Sequence, residues 1–360
     1  MGRRFFPLDW KLRLRADHWS DGAAQVAARQ GLQARSFDRA AEAYSEAVGG
    51  LISADSLRRI TEGWGQKVED QRTAEAERAN APAQVGESPR QRRIAEVEPI
   101  EEGQANLSTD GAMVLIRGEG WKEVKLAAIS EVQVKIAGER AVAQGRPRRR
   151  DQDPLVQLSR HSYQAGLWDA DTMALHQYAE GLRRGIDHCP RLSSVNDGSP
   201  WIERITSTNF PQAVQIIDWP HSSGHVWTVA NEVWGDQTPP AKQWAEEQLD
   251  RLWSGRVAEV VTTLGSLNLD QERWSPLVRQ APNYFRLRQE QMQYDRFRAE
   301  GYPIGSGTVE SGANTVVHYR LRRSGPGWER NNAQAMLAGL SELHSGRFDR
   351  AWQATLPTAA

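Results

Sequence analysis

Two neighbouring stretches of this chain keep a hydrophobic period of two, whereas its longest apolar region follows a helical spacing, and this contrast limits the fold more than any other feature. Met113 to Arg117 and Trp121 to Ser130 are rich in aliphatic and β-branched residues, and GEG at 118 to 120 separates them. Alternation places every second side chain on one face of an extended strand, so the pair predicts a β-hairpin with a glycine-containing loop. A helical stretch follows from about Asp171 to Arg184, then a short strand ending at Asp197, a short helix near Trp201 to Ser207, and the apolar strand AVQIID at 213 to 218. Strand, strand, helix, strand, helix, strand predicts an α/β fold with a mixed sheet and helices on its faces.

After Asp218 the helical period returns and lasts to about Glu300. Val226, Trp227, Ala230, Val233 and Trp234 form one stripe, and Trp244, Leu249, Leu252, Trp253, Val257, Val260 and Val261 form another, as an inserted helical unit would. Many of the 14 tryptophans fall in this region, where a core role outweighs stacking on nucleic-acid bases. Glycines and a proline in GYPIGSGTVES then break the pattern, and Ser306 or Thr308 can start a new helix carrying Glu310.

Before the hairpin, Ser20 and Asp21 can cap a helix rich in alanine, a second helix runs from near Phe37 to Val48 and closes at Gly49 and Gly50, and Ser53 caps a third. In that third helix Leu57, Ile60 and Trp64 form the apolar face, leaving Arg58, Arg59 and Lys67 on other faces. Helix, short glycine turn and helix with exposed cations is the pattern of a helix-turn-helix, and equally of a plain helical hairpin. From Thr73 to Asn106 the composition is that of a linker, with Pro82, Pro89, Pro99 and the run RQRR at 90 to 93. A second basic run, RPRRR at 146 to 150, is a candidate phosphate contact. The expected organisation is a helical region at 1–72, a charged linker at 73–106, a catalytic core at 107–224, an α-helical insertion at 225–300 and closing helices at 301–360.

Composition excludes several classes. With 360 residues, 39% of them hydrophobic and 25% charged, the chain can bury a sizeable core. It has no apolar run long enough for a membrane span and no secretory leader at its start, so a cytoplasmic, nucleoid-associated location is expected. The lone Cys189 rules out an internal disulfide and a cysteine-built zinc site and reads as a small buried residue. A net charge of −1 argues against generic coating of DNA and leaves any nucleic-acid contact to local clusters.

Asp110 stands where the first strand is expected to begin, Asp197 ends a later strand ahead of Gly198, and Glu310 opens a helix. Carboxylates arriving at strand ends from distant parts of the chain suit hard divalent cations, which take oxygen ligands and substrate phosphate. Two such ions can activate the attacking oxygen and stabilise the leaving oxygen of a phosphodiester displacement. Around Glu310, Gly305 and Gly307 allow a close backbone approach. Asn314 follows one turn later, and Arg320, Arg322 and Arg323 close the helix where DNA backbone could lie.

The strings DGAMVLIRGEGWKEVK, NDGSPWI, FPQAVQIIDWPH and GYPIGSGTVESGANTVVHYRLRRSGPGWERNNAQAML resemble successive motif blocks of DDE transposases from bacterial insertion sequences, of the ISKra type in the Mutator-like group. The resemblance runs from about Phe5 to near Trp352. It implies a ribonuclease-H-like fold with an α-helical insertion before the last acid, two magnesium or manganese ions, and cutting and joining of element ends. Asp110, Asp197 and Glu310 take the places of the three acids. Asp218 also ends an apolar strand and is the alternative second acid. With His221, however, it better matches a downstream block of aspartate or cysteine, two residues and histidine, which makes Asp218 and His221 supporting groups. His221 either contacts the scissile phosphate or orients a ligand, or it is satisfied inside the core. Because the chain opens almost at the FFPLD block, a shortened copy is expected. DNA ends and target DNA are the implied partners, with a homodimer or higher oligomer at work. A non-catalytic DNA-binding derivative and a ribonuclease-H-like nuclease without strand transfer are the alternatives.

Overall fold

Five strands make one mixed sheet in the order β3-β2-β1-β4-β5. The computed structural model describes residues 19–82, 94, 98–100, 103–135, 154–322, 325 and 327–356. The FFPLD string, both basic runs and Arg323 lie outside the described residues. Strands β1 (Gln104–Ile116) and β2 (Gly120–Lys135) form the expected hairpin, closed where Ile116 faces Gly120. Gly118 and Gly120 supply the positive φ values of the turn, 75° and 77°. Both strands outrun their alternating cores. Asp110 therefore lies in the middle of β1 and not at its start.

Strand β3 (Leu155–Gly166) pairs antiparallel with β2 and was not expected. It carries Ser159, Arg160, His161, Ser162 and Gln164 in place of an apolar alternation, and its register shifts beside Ile129 and Glu131. Arg160 adopts a left-handed backbone there, φ 48°. Strand β4 (Arg191–Asn196) runs parallel to β1, and β5 (Val214–Ile217) runs parallel to β4. Helix α4 (Ala170–Arg183) precedes β4, and α5 (Pro200–Asn209) links β4 to β5.

The two faces of the sheet bury different partners, as alternation dictates. Ala105, Leu107, Ala127 and Ile129 pack with Met173 of α4, and Ile205 and Phe210 join them. Cys189 is buried in the same cluster. On the opposite face Ala112, Val114, Val124, Leu126 and Ala128 meet Val309, Val316 and Val317. Those three belong to α11, which begins as Gly307–Gly312, widens into a π-helical stretch at Ala313–His318 and ends at Tyr319–Leu321.

Helices α1 (Asp21–Gln33), α2 (Phe37–Val48) and α3 (Ala54–Asn80) join the α11 side of the core. Ser20 and Ser53 cap as expected, each accepting from a backbone N–H in the first turn, and Gly49 ends α2 at φ 73°. Helix α3 continues past residue 72 to Asn80 and packs lengthwise on α12 (Arg330–His344), the helix before α13 (Phe348–Ala354).

Beyond β5 the chain is helical through α6 (Trp219–Trp234), α7 (Pro239–Trp253), α8 (Val257–Gly265), α9 (Pro276–Leu287) and α10 (Tyr294–Ala299). These helices share a second apolar cluster with Val195, Ile216 and Ile217 of the sheet. Trp219, Trp227, Trp234, Trp244 and Trp274 line that cluster, the core role expected for them. No helix among the described residues is long and apolar enough to cross a membrane.

Candidate functional site

Sheet register alone brings three aspartates to one level. The last β1–β4 pair is Leu107 with Ser194, and three residues further along each chain stand Asp110 and Asp197. The last β4–β5 pair is Asn196 with Ile217, and one residue further stand Asp197 and Asp218. Adjacent strands lie about 4.8 Å apart, and residues in register share a face, so the three acids form a row across β1, β4 and β5. Thr109 N–H donates to Asn196 Oδ1 at 2.7 Å and holds β1 against the end of β4 beside that row.

Asp110 has the parity of Ala112 and Val114, which face α11, the helix that carries Glu310. Burial pushes the Asp110 carboxyl above its ordinary pKa, and the negative charges of Asp197, Glu310 and Glu123 push the same way against a hydrogen bond from Gly111 N–H. The first and third acids therefore share a neighbourhood with the second although they lie far apart in sequence. Among the described residues no three histidine, cysteine, aspartate or glutamate side chains stand close enough to hold a metal ion as they are. The donor chemistry nevertheless fits a hard divalent cation: every candidate ligand is a carboxylate, and the like-charge conflict around Asp110 is one that a cation relieves. Magnesium also completes its shell with waters and substrate phosphate and so does not require a closed protein cage.

Asp218 works differently from Asp197. It is 3% exposed, and its two oxygens are engaged by the chain itself. Oδ2 accepts from His221 N–H at 2.9 Å and caps α6, while Oδ1 accepts from Ser306 N–H at 2.6 Å. Ser306 Oγ in turn donates to Glu310 Oε1 at 3.1 Å. Burial raises the Asp218 pKa, the two N–H groups lower it, and Glu310 raises it further. Asp218 thus joins the end of β5 to the loop that delivers Glu310. Asp197 is half-buried, and its carboxylate accepts from Ser199, through N–H and Oγ, both at 2.8 Å.

Among the supporting groups, the His221 ring is exposed and 5.0 Å from that of His225, which overturns the reading of a histidine satisfied inside the core. His225, absent from the expected site, stacks on Tyr284 at 4.1 Å. Burial, with His221 and Arg288 nearby, lowers its pKa to about 4 against the pull of Asp197. Only its place four residues after His221 could have suggested it. Asn314 is exposed, and its side-chain contact is with His318, 3.4 Å away.

The expected DNA contacts separate. Arg320 is 3% exposed, and its guanidinium donates to the carbonyls of Gly31 and Arg35 while packing over Phe37 and Trp328. It fastens α11 to the C-terminal end of α1, where a cation complements the helix dipole, and it does not face DNA. Arg58 is ion-paired with Asp55 and Glu62, and Arg59 with Asp55, so this face of α3 is charge-mixed. Lys67 is exposed, and Arg322 is exposed beside Trp121.

No protein-family model matches the chain, and no curated protein matches it in sequence.

Proposed function

We propose that the chain is a DNA transposase of the bacterial insertion-sequence type, acting by metal-dependent phosphoryl transfer through Asp110, Asp197 and Glu310. The observation that carries this reading is that Asp110 and Asp197 each stand three residues beyond the last β1–β4 pair, with Asp197 and Glu310 both close enough to raise the Asp110 pKa. The motif resemblance points to the same three residues. A five-stranded sheet that joins an antiparallel hairpin half to a parallel half, with helices on both faces and a helical insertion before Glu310, supports a ribonuclease-H-like fold. The α1–α3 unit supports a DNA-binding role less well, because Arg58 and Arg59 are paired with acids of their own helix.

Asp110, Asp197 and Glu310 would hold two magnesium or manganese ions, with Asp218 fixing the Glu310 loop. Divalent ions bound there supply activation of the attacking oxygen and charge stabilisation of the leaving oxygen. The sheet holds Asp110 in mid-strand and Ser199 ties down the Asp197 carboxylate, so little reorganisation is left for the moment of reaction. In the first step, water attacks the phosphorus at an element end and the P–O3′ bond breaks, leaving a 3′-hydroxyl. In the second, that hydroxyl attacks a target phosphodiester and releases the target's own 3′-oxygen. Both steps handle two element ends, which favours a homodimer or larger assembly.

The test uses duplexes carrying the DNA that flanks the coding region. Asp110→Ala, Asp197→Ala and Glu310→Ala should each reduce magnesium-dependent cleavage to background while the chain still shifts the same duplex in a gel. Cleavage retained by Asp197→Ala would transfer the second-acid role to Asp218. Nicked DNA without joined donor and target strands would make the protein a nuclease.

A further inference from the structure

We infer that helix α9 of the insertion positions the second acid, with Tyr284 and Arg288 as positioning residues for Asp197; this rests on the metal-dependent reading above. Asp197 lies past the last β4–β5 pair, so the sheet ladder does not hold its main chain. The insertion does. Tyr284 Oη donates to the Asp197 carbonyl at 3.2 Å, and Arg288 Nη2 donates to the Gly198 carbonyl at 2.7 Å. The two side chains, one in α9 and one at its C-cap, are four residues apart and reach consecutive carbonyls.

Packing strengthens the grip. Gly198 has φ 86°, and a Cβ there would lie 2.8 Å from Arg288 Nε and 2.9 Å from Ile217 Cδ1, so the turn is held between the guanidinium and β5. The guanidinium carbon lies 4.8 Å from the centre of the Tyr284 ring, which stacks on His225, which in turn meets His221. The row of rings begins beside the Asp218-capped end of α6 and finishes at the Asp197 turn. Tyr294, also from the insertion, donates to the Ile217 carbonyl at 3.0 Å, immediately before Asp218. With its main chain fixed from α9 and its carboxylate tied to Ser199, Asp197 has little freedom to turn away from Asp110. Outer groups that orient a metal ligand typically change metal affinity by about 10- to 100-fold when removed.

The experiment compares the full chain with Tyr284→Phe, which removes only the hydroxyl, with Arg288→Lys, which keeps the charge and loses the planar fork, and with Arg286→Lys, an exposed control on the same helix. Two readouts avoid activity: calorimetric titration with Mn2+, and hydrogen exchange of the Ser199 amide, which is bonded to Asp197 Oδ1. Both test variants should bind Mn2+ at least about tenfold more weakly and exchange Ser199 faster, with the control unchanged. If Arg288→Lys fails to fold, Tyr284→Phe carries the test. Wild-type affinity in the variants overturns the inference, even where Ser199 exchanges faster. A wild-type chain that takes up no Mn2+ overturns the metal-dependent reading and this inference with it, an outcome the wild-type titration reveals by itself.

Discussion

His176 is 3% exposed, and its ring lies flat on Trp168 at 3.9 Å, with Arg72 also packed over that indole. Burial, reinforced by the charges of Arg72 and Arg183, pushes its pKa down to about 3. The unfolded chain, with a pKa near 6.5, takes up the proton first. The stability due to neutral His176 is therefore complete above about pH 6.5 and is lost as pH falls toward about 3, by up to ~1.4 kcal/mol per pH unit for one proton. His225, lowered to about 4, acts in the same direction. Urea midpoints measured from pH 7 to 4 should fall steadily for the wild type and less steeply for His176→Phe, which keeps an aromatic ring against Trp168; parallel curves would refute this. At this scale, local chemistry was legible in the sequence. The serine caps and Gly49 stood where helix ends demand them, because the rule involves only neighbours in the chain. Arg320 was misread because its burial depends on carbonyls nearly three hundred residues away.

Where α3 crosses α12, Gly65 brings two backbones together, and an added Cβ would run into the backbone carbonyl of Ala335. Neither backbone can give way cheaply, so Gly65→Ala should destabilise the fold by about 1–3 kcal/mol through overpacking. Chemical denaturation reads this directly, and a midpoint equal to the wild type would show that the helices can part without cost. Periodicity placed α2, α4 and β5 to within a few residues and found the hairpin turn, although both hairpin strands run well past their alternating stretches. Strand β3 escaped notice because its polar side chains meet partners from other elements. Ser130 Oγ lies 2.9 Å from His161 Nδ1, and Gln164 donates to Glu180 at 3.0 Å. A one-residue irregularity beside Arg160 also interrupts its alternation. The common level of Asp110, Asp197 and Asp218 depends on a parallel register that a single strand's sequence does not encode.

The N-terminal helices and the α11 side of the sheet share one apolar core, which includes Ala27, Leu57 and Trp64 together with Val114, Leu126 and Met336. A buried charge network adds to it. Glu180 of α4 meets Arg347 at 2.7 Å and Arg183 at 2.5 Å, Arg347 meets Glu342 at 2.9 Å, and Arg72 of α3 donates to the Ala165 carbonyl at 2.9 Å. Removing α3 would expose much of this core and leave part of the network unpaired, each a large cost. A chain starting after Asn80 should therefore lack a cooperative thermal transition by circular dichroism, whereas the longer chain melts sharply. A truncated chain that melts cooperatively would make the helices an independent appendage.

Immediately after Glu310, α11 widens into its π-helical stretch, a turn that accommodates one residue more than an α-helical turn. The extra residue reconciles two demands on one rod: a carboxylate aimed at the aspartates, and Val316, Val317 and Leu321 aimed into the core. Each residue rotates an α-helix by about 100°. Losing a single residue from that widened turn would swing the acid out of aim while every apolar side chain downstream kept its seat. Aim and architecture are thereby separable in this molecule: a one-codon deletion would turn the carboxylate away without the protein coming apart.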